Sequence, residues 1–137
     1  MAETIRQVEY FYIQVANKPG AGASVLSALR DAGVNLLVFS GFPEGRGSQL
    51  DFVPDNAQAF RDVAKKAKWK VTGPKRAFLI QGDDRVGAIA DAHEKLAAAK
   101  INVTAIDALC AGAGRYGAIL WVAPRDVARA AKALGAS

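Results

Sequence analysis

Apolar and polar residues alternate along this chain with two periods, one of two residues that predicts strands and one near 3.6 that predicts helices. Aromatic and aliphatic residues alternate over 7–16, as in a strand, and Val25, Leu26 and Leu29 then follow at helical spacing. The elements predicted in the first half are a strand over 7–16, a helix over 21–32, strands over 34–42 and 49–53, a helix capped by Asp55 or Asn56, and a strand over 69–72.

The second half of the chain repeats this order but stops one strand short. Its predicted elements are a strand over 76–81, a helix over 86–99, strands over 101–110 and 116–123, and a helix over 125–134. Gly73-Pro74-Lys75 is the one convincing boundary, which gives domains over 1–73 and 74–137. The final strand of the second domain is therefore left open, or is supplied by Thr4–Val8, by residues 69–72 or by another chain.

The two halves are also related by a constant offset. Gly20 and Gly87 are 67 positions apart, as are Asn35 and Asn102. Because strand–helix–strand crossovers are right-handed, the split βαβ arrangement is the simplest fold for elements in the order βαββαβ. We therefore predict an α+β fold of two ferredoxin-like βαββαβ units in tandem, with antiparallel sheets side by side and helices on one face.

Composition and charge narrow the class of protein. The chain has 137 residues, of which 51% are hydrophobic and 23% charged, as in ordinary globular proteins. We expect no membrane segment, and the single cysteine, Cys110, is interpreted as a small packed residue of a cytoplasmic protein. A net charge of +5 favours anionic partners. The basic cluster over 65–76 is interpreted as a solvated helix end, with a binding patch as the alternative.

The loops before the first helix of each half are the candidate binding sites. Backbone N–H groups at a strand-to-helix loop can hold a carboxylate, which Asn17 or Lys18 would orient. In the second half, Asp84 can bind an ammonium group while Arg85 meets a carboxylate. A helix cap and a tight turn without a ligand explain the same residues.

A predicted strand leads through Asn17-Lys18-Pro19-Gly20 into an amphipathic helix, which is followed by Ala32-Gly33-Val34-Asn35-Leu36. This combination resembles the ACT domain, a regulatory module attached to many enzymes of amino-acid metabolism. The resemblance covers almost the whole chain in two copies. The second copy departs from it, with Val86 in place of the proline and Lys100 in place of the glycine.

The resemblance implies that an amino acid or other small effector binds between two domains. The residues that it implies as ligand contacts in the first copy are Asn17, Lys18, Pro19, Gly20, Ala21, Asn35 and Leu36. In the second copy they are Asp84, Arg85, Val86, Gly87, Asn102 and Val103. For both asparagines a structural hydrogen bond to a neighbouring loop is the alternative.

Other motifs in the sequence give little support to nucleotide binding, catalysis or metal binding. The run Gly112–Gly117 matches G-x-G-x-x-G, but a strand follows it, so we interpret it as a hairpin and not a dinucleotide site. His93 lies on an apolar helix face and is expected to be buried, hydrogen-bonded or at an interface. We expect no catalytic residue, no metal site and no cofactor, because no nucleophile–base pair and no Cys/His cluster is present.

The sequence thus predicts a non-catalytic regulatory protein of the cytoplasm that binds a small effector, most simply an amino acid. Because a strand edge is left over, we expect a homo-oligomer such as a dimer, which would act on a separate enzyme or regulator. Two alternatives are an assembly protein without a ligand and an RNA-binding ferredoxin-like protein. The third strands lack the paired aromatic residues of RNA-recognition motifs, which disfavours nucleic acid.

Overall fold

The computed structural model describes residues 3–137 and has an α+β fold. The strands are β1 (Thr4–Ala16), β2 (Leu36–Glu44), β3 (Gly47–Pro54), β4 (Thr72–Asp83), β5 (Val103–Gly112) and β6 (Arg115–Val122). The helices are α1 (Ala21–Asp31), α2 (Ala57–Ala67), α3 (Ala90–Ala98) and α4 (Val127–Leu134), with a 3-10 turn over Pro124–Asp126. The strands follow the order β2-β3-β1-β4-β6-β5 in an antiparallel sheet.

Contacts divide the chain into two compact units. The N-terminal unit is Glu9–Lys75, and the C-terminal unit joins residues 3–8 to Arg76–Ser137. The predicted boundary at 73 and 74 lies inside β4, a single strand. The pairs between β4 and β6 begin only at Phe78. Pro74 lies outside that ladder, where a missing donor costs little.

The N-terminal unit is built on two antiparallel pairs, β1 with β3 and β3 with β2. Phe11 of β1 pairs with Phe52 of β3, and both rings are completely or almost completely buried. Phe60 of α2 stacks on Phe11 with ring centroids 5.0 Å apart and lies 5.1 Å from Phe52. Each fully buried aromatic side chain stabilises the fold by roughly 1.5–3 kcal/mol, so these rings account for much of the packing.

The C-terminal unit repeats this arrangement, with β6 between β4 and β5. Its fourth strand comes from the start of β1, which neighbours β4. The N–H of Ser137 donates to the carbonyl of Ile5 at 3.0 Å, and the N–H of Gln7 donates to the carbonyl of Ser137 at 3.0 Å. Ile5 packs against the hydrophobic core of this unit. Of the sources considered for the missing strand, the N-terminal segment is therefore the one used.

All four helices end on a residue with left-handed backbone, and in each case two backbone hydrogen bonds close the end. The residues are Gly33 (φ 73°), Lys68 (φ 61°), Lys100 (φ 58°) and Gly135 (φ 67°). In α1 the N–H of Val34 donates to Leu29, and in α3 the N–H of Ile101 donates to Leu96, both at 2.9 Å. This is the hydrogen bond of a Schellman end. The helix end predicted at Gly33 is confirmed, and Lys100 adopts the same conformation without being a glycine.

The third helix begins later than the sequence predicts. Residues 86–89 form turns, and α3 starts at Ala90 instead of residue 86. Gly87 has a left-handed backbone with φ of 73°, as Gly20 has with φ of 89°. A left-handed residue cannot lie inside a right-handed helix, so the helix must start after it. By contrast, the cap predicted at Asn56 is confirmed, since its Oδ1 accepts the N–H of Ala59 at 3.0 Å.

None of the described helices combines the length and the apolar character that a membrane-crossing helix requires.

Replacing Lys100 with glycine should raise the free energy of unfolding by about 0.5–1 kcal/mol, because a left-handed backbone strains a residue that has a Cβ. The gain is smaller than the full strain because glycine also increases the entropy of the unfolded chain. Urea denaturation of Lys100→Gly and Lys100→Ala checks this. Equal gains from both variants would show that the lysine side chain, and not the backbone strain, is responsible.

Gly47→Ala should destabilise the N-terminal unit by about 1–3 kcal/mol, the usual cost of overpacking. A Cβ at Gly47 would lie 2.5 Å from the carbonyl oxygen of Val15, whereas a Cβ at Gly22 in α1 would meet nothing within 4 Å. Gly22→Ala is therefore the matched control, and thermal denaturation should find it neutral or stabilising. A neutral Gly47→Ala variant would mean that the end of β1 moves freely.

Candidate functional site

The predicted contacts of the first copy lie at opposite ends of the N-terminal unit. Because β1 and β2 are both antiparallel to β3, they run parallel to each other. β1 ends where it pairs with Gly47, while β2 begins where it pairs with Pro54. Seven residues of a strand span about 23 Å. The loop Asn17–Ala21 and the pair Asn35 and Leu36 therefore do not meet within this unit.

The C-terminal unit separates its predicted contacts in the same way. β4 ends at its pair with Arg115, and β5 begins at its pair with Val122. The loop Asp84–Gly87 therefore follows one end of the sheet, while Asn102 and Val103 lie at the other, again about 23 Å away. Each unit thus holds its predicted ligand contacts as two separate groups, one at each end of its sheet. We call each of these groups a half-site.

In the first copy, the loop after β1 is exposed and fixed by local hydrogen bonds. The N–H of Lys18 donates to the carbonyl of Ala16 at 2.9 Å, and Ser48 Oγ donates to Asn17 Oδ1 at 3.5 Å. Gly20 caps α1 without a side-chain hydrogen bond. The carbonyl of Asn35 accepts the N–H of Asp55 at 3.0 Å. The side chain of Asn17 therefore has a structural partner at the start of β3, and the backbone of Asn35 has one directly after β3.

Asn35 and Leu36 line a shallow cavity of about 430 Å³ at the C-terminal end of α1. The other lining residues are Leu26, Leu29, Arg30, Gly33 and Val34. The loop Asn17–Ala21 is not among them. This cavity holds one half of the first predicted site, with Arg30 as its charged side chain.

A cavity of about 300 Å³ in the C-terminal unit brings together three of the second copy's predicted residues, Asp84, Arg85 and Gly87. The remaining lining residues come from the turn before α3, from β5 and from β6: Ala88, Ile89, Ala90, Ala108, Leu109, Cys110 and Tyr116. Val86 points into solvent and does not line it. This cavity is the candidate functional site of the described chain.

Backbone hydrogen bonds hold the loop that forms one wall of this cavity. The N–H of Asp84 donates to the carbonyl of Gly114 in the β5–β6 turn at 2.8 Å. The N–H of Ala88 donates to Arg85 at 3.2 Å, and the N–H of Ala90 donates to Gly87 at 2.9 Å. These consecutive turns keep residues 84–90 in a fixed conformation, so the wall does not depend on a ligand.

Charged and polar side chains at the cavity form one network. Arg85 Nη2 donates to Asp91 Oδ2 at 3.0 Å and lies 3.8 Å from Glu3 Oε2. The hydroxyl of Tyr116 donates to the same Glu3 oxygen. Burial first, and then the hydrogen bond to Glu3, raise the pKa of Tyr116. The phenol therefore stays protonated near neutral pH and remains a donor.

Cys110 is not the packed residue that the sequence analysis predicted. It is exposed and lines the cavity, on β5, the outermost strand of the sheet. A hydrogen bond with the Asp84 carboxylate raises the pKa of its thiol, and desolvation adds to the effect. An anion beside the thiol disfavours the thiolate.

The cavity residues that the sequence analysis missed lie across the sheet from the loop. The β5–β6 hairpin pairs Cys110 with Tyr116, and β6 pairs Tyr116 with Gly82 of β4. The turn at Ala113 and Gly114 fixes this register, and it confirms the hairpin predicted for Gly112–Gly117. Counting back from that two-residue turn would have paired Tyr116 with Ala111, because an irregularity between Cys110 and Gly112 shifts the register by one residue.

His93 has the structural role that its position in the sequence predicts. It is half-buried on α3, with Nδ1 3.2 Å from the carbonyl oxygen of Ile89. Among residues 3–137, no group of three or more His, Cys, Asp or Glu side chains is arranged to hold a metal ion.

No protein-family model matches the chain, and no curated protein does so either. Solved structures do match it. Protein BT0572 of Bacteroides thetaiotaomicron has a TM-score of 0.80 at 14% identity, over 97% of this chain and 88% of that one. The ligand-free regulatory subunit of aspartate kinase from Thermus thermophilus has a TM-score of 0.64 at 18% identity, over 98% and 93%.

A further match is the regulatory subunit of aspartate kinase from Thermus flavus, with a TM-score of 0.59 at 19% identity, over 98% of this chain and 94% of that one. At such low identities these matches establish the fold alone. They support the resemblance of the sequence to ACT domains at the level of an ACT-like α+β fold.

Replacing Asp84 with asparagine should accelerate alkylation of Cys110. Removing the carboxylate lowers the thiol pKa, so at pH 8 a larger fraction is thiolate, the reactive form. Iodoacetamide labelling followed by mass spectrometry over pH 7–9, with Asp107→Asn on the same exposed strand as control, measures the change. Identical rate–pH profiles for Asp84→Asn and the unmodified protein would contradict it.

Proposed function

We propose that this protein is a non-catalytic regulator with two ACT-like, ferredoxin-like domains in tandem, which binds an amino acid as its effector. Two observations support a tandem. Left-handed residues recur 67 positions apart, at 20 and 87, 33 and 100, and 68 and 135. Both units also place a middle strand between two strands antiparallel to it. Solved proteins of similar fold are named as regulatory subunits of aspartate kinase.

The cavity of the C-terminal unit carries the proposal of a small effector. Its volume of about 300 Å³ lies at the lower end of the range of roughly 300–1,000 Å³ that is usual for ligand pockets. A ligand of amino-acid size therefore fits this space better than a nucleotide does. A pre-formed wall also lowers the entropic cost of binding.

The chemistry of the lining suits a zwitterion with an apolar side chain. The guanidinium of Arg85 can donate a charge-assisted hydrogen bond to a carboxylate from Nη1 or Nε, and the backbone at Gly87 offers a further donor. The carboxylate of Asp84 can accept from an ammonium group. Ile89 and Leu109 supply apolar wall on the other sides. Because both charges of the ligand find an opposite charge, neither is buried unpaired.

The predicted half-sites of the N-terminal unit lead to a proposal of self-association. Within one unit the loop Asn17–Ala21 and the pair Asn35 and Leu36 lie about 23 Å apart. A second chain can bring one half-site against the other, so we propose a homo-oligomer such as a dimer that completes a site at an inter-chain cleft. Regulation then acts on a separate enzyme or regulator in the cytoplasm, since no catalytic constellation is predicted.

An assembly protein without a ligand is the second candidate function. Its support is the exposed apolar surface on the outer strands, at Leu37, Phe39 and Phe42 of β2 and at Leu109 of β5. Edge strands with such side chains tend to pair with another chain. RNA binding is less well supported, because β3 buries the carboxylate of Asp51 in its sheet, where it would repel phosphate.

A thermal-shift screen against the twenty amino acids tests the effector proposal. At a hundred times its Kd, a ligand adds about 2.7 kcal/mol of stability, which raises the melting temperature on the order of 10 °C for a chain of this size. Arg85→Gln should reduce the shift to a small fraction, because the ligand carboxylate loses its cation. Arg125→Gln, which removes one exposed positive charge elsewhere, is the matched control.

The outcomes separate the candidate functions. If none of the twenty amino acids shifts the melting temperature and the protein assembles with rising concentration in analytical ultracentrifugation, the assembly protein is favoured. A shift that survives Arg85→Gln but disappears on Lys18→Ala would move the site from the C-terminal cavity to the Asn17–Ala21 loop.

A further inference from the structure

The side chain of Glu3 contacts two residues that line the cavity of the C-terminal unit, Tyr116 and Arg85. Its side chain is 27% exposed, whereas the side chain of its neighbour Arg85 is 46% exposed. One carboxylate oxygen, Oε2, accepts from the hydroxyl of Tyr116 and lies 3.8 Å from Arg85 Nη2. Both partners line the cavity, while Glu3 itself does not. Glu3 therefore contacts residues of the cavity wall without lining the cavity itself.

A glycine makes room for this contact. Gly82 of β4 is buried and pairs with Tyr116. A Cβ at this position would lie 3.0 Å from Tyr116 Cε1 and 3.3 Å from Glu3 Cγ. The two side chains thus meet over a strand residue that has no side chain of its own. Such packing fixes the position of Glu3 more closely than an exposed ion pair would.

The backbone near Glu3 is held as well. Ile5 accepts from the N–H of Ser137 at 3.0 Å, and the N–H of Gln7 donates to the carbonyl of Ser137 at 3.0 Å. Ile5 also packs against the hydrophobic core of this unit. These contacts tie the segment down two and four residues beyond Glu3, so that its carboxylate approaches the cavity from a fixed direction.

The electrostatics give Glu3 a role that Asp91 alone cannot fill. The ion pair between Arg85 and Asp91 joins two side chains that are 46% and 56% exposed, and exposed pairs contribute little to stability because water screens them. Glu3 adds a second, better shielded carboxylate to the same Nη2 nitrogen. Within residues 3–137 both carboxylate contacts of Arg85 use Nη2, which directs Nη1 and Nε toward other partners.

We propose that Glu3 is a positioning residue of the effector site, which holds Arg85 and Tyr116 in the orientation that binds the ligand. This inference rests on the proposed function and extends it, because it makes the N-terminal segment part of a site whose lining comes from residues 84–116. Sequence alterations before β1 then change effector affinity without touching the cavity lining.

Three variants test the role of Glu3. Glu3→Gln keeps an acceptor for Tyr116 but removes the charge facing Arg85, and Tyr116→Phe removes the hydroxyl that anchors Glu3. Glu94→Gln, which removes an exposed carboxylate of α3, is the control for net charge. Isothermal titration with the amino acid found by the screen should show affinity about threefold to tenfold weaker for the first two variants, and unchanged for the control.

A second measurement needs no ligand. In ¹⁵N relaxation experiments the Nε–Hε group of Arg85, assigned by its loss in Arg85→Gln, should be ordered in the unmodified protein and more mobile in Glu3→Gln. A spectrophotometric titration of the tyrosines should also show one phenol titrating at lower pH in Glu3→Gln, since the Glu3 carboxylate contributes to raising the pKa of Tyr116.

The two measurements distinguish failure of this inference from failure of the proposed function. If no amino acid binds, the effector proposal fails, and the mobility of Arg85 alone decides whether Glu3 positions it. If an amino acid binds the unmodified protein and Glu3→Gln with the same Kd, the inference on Glu3 is overturned while the effector proposal stands. Equal order of Arg85 in both proteins overturns it as well.

Discussion

The pairing of residues 3–8 with the C-terminal unit is the interaction on which that unit depends. The start of β1 joins β4, β6 and β5 as the fourth strand of the sheet in this unit. Without it, the backbone groups of β4 would face water on one side, and part of the core around Ile5 would be uncovered. The same pairing delivers Glu3 to Tyr116 and Arg85, so one contact serves both the fold and the candidate site.

The order of the elements could be predicted because it depends on local patterns. The helical spacing of α1 and α2 and the cap at Asn56 are visible in neighbouring residues. What the sequence does not reveal is where strands find their partners. Residues 73–75 were predicted as a boundary, but they lie within β4, which extends from Thr72 to Asp83. Cys110 lies on the outermost strand and is exposed, although the run of sequence around it is apolar. Both facts belong to the sheet as a whole and not to the local sequence.

The candidate site could be predicted only in part, and strand direction explains why. In the sequence, Asp84 and Asn102 both lie beside a strand of the same unit, so both are reasonable contacts. In the sheet their strands run parallel on either side of β6, and the end of one is far from the start of the other. The residues that do face Asp84 are those at the ends of β5 and the start of β6. A hairpin register, and not a helix pattern, brings Cys110 and Tyr116 there.

The departures from the repeat, more than the repeat itself, shape the cavity. Gly20 and Gly87 share a left-handed backbone, but α1 starts directly after Gly20 and α3 only at Ala90. Pro19 restricts the chain before Gly20, whereas Val86 at the matching position does not fix the backbone. In the second copy residues 86–89 therefore form turns, and Gly87–Ala90 become cavity lining in place of a first helical turn. A difference of two residues in where a helix begins thus separates a closed helix start from a cavity bordered by opposite charges.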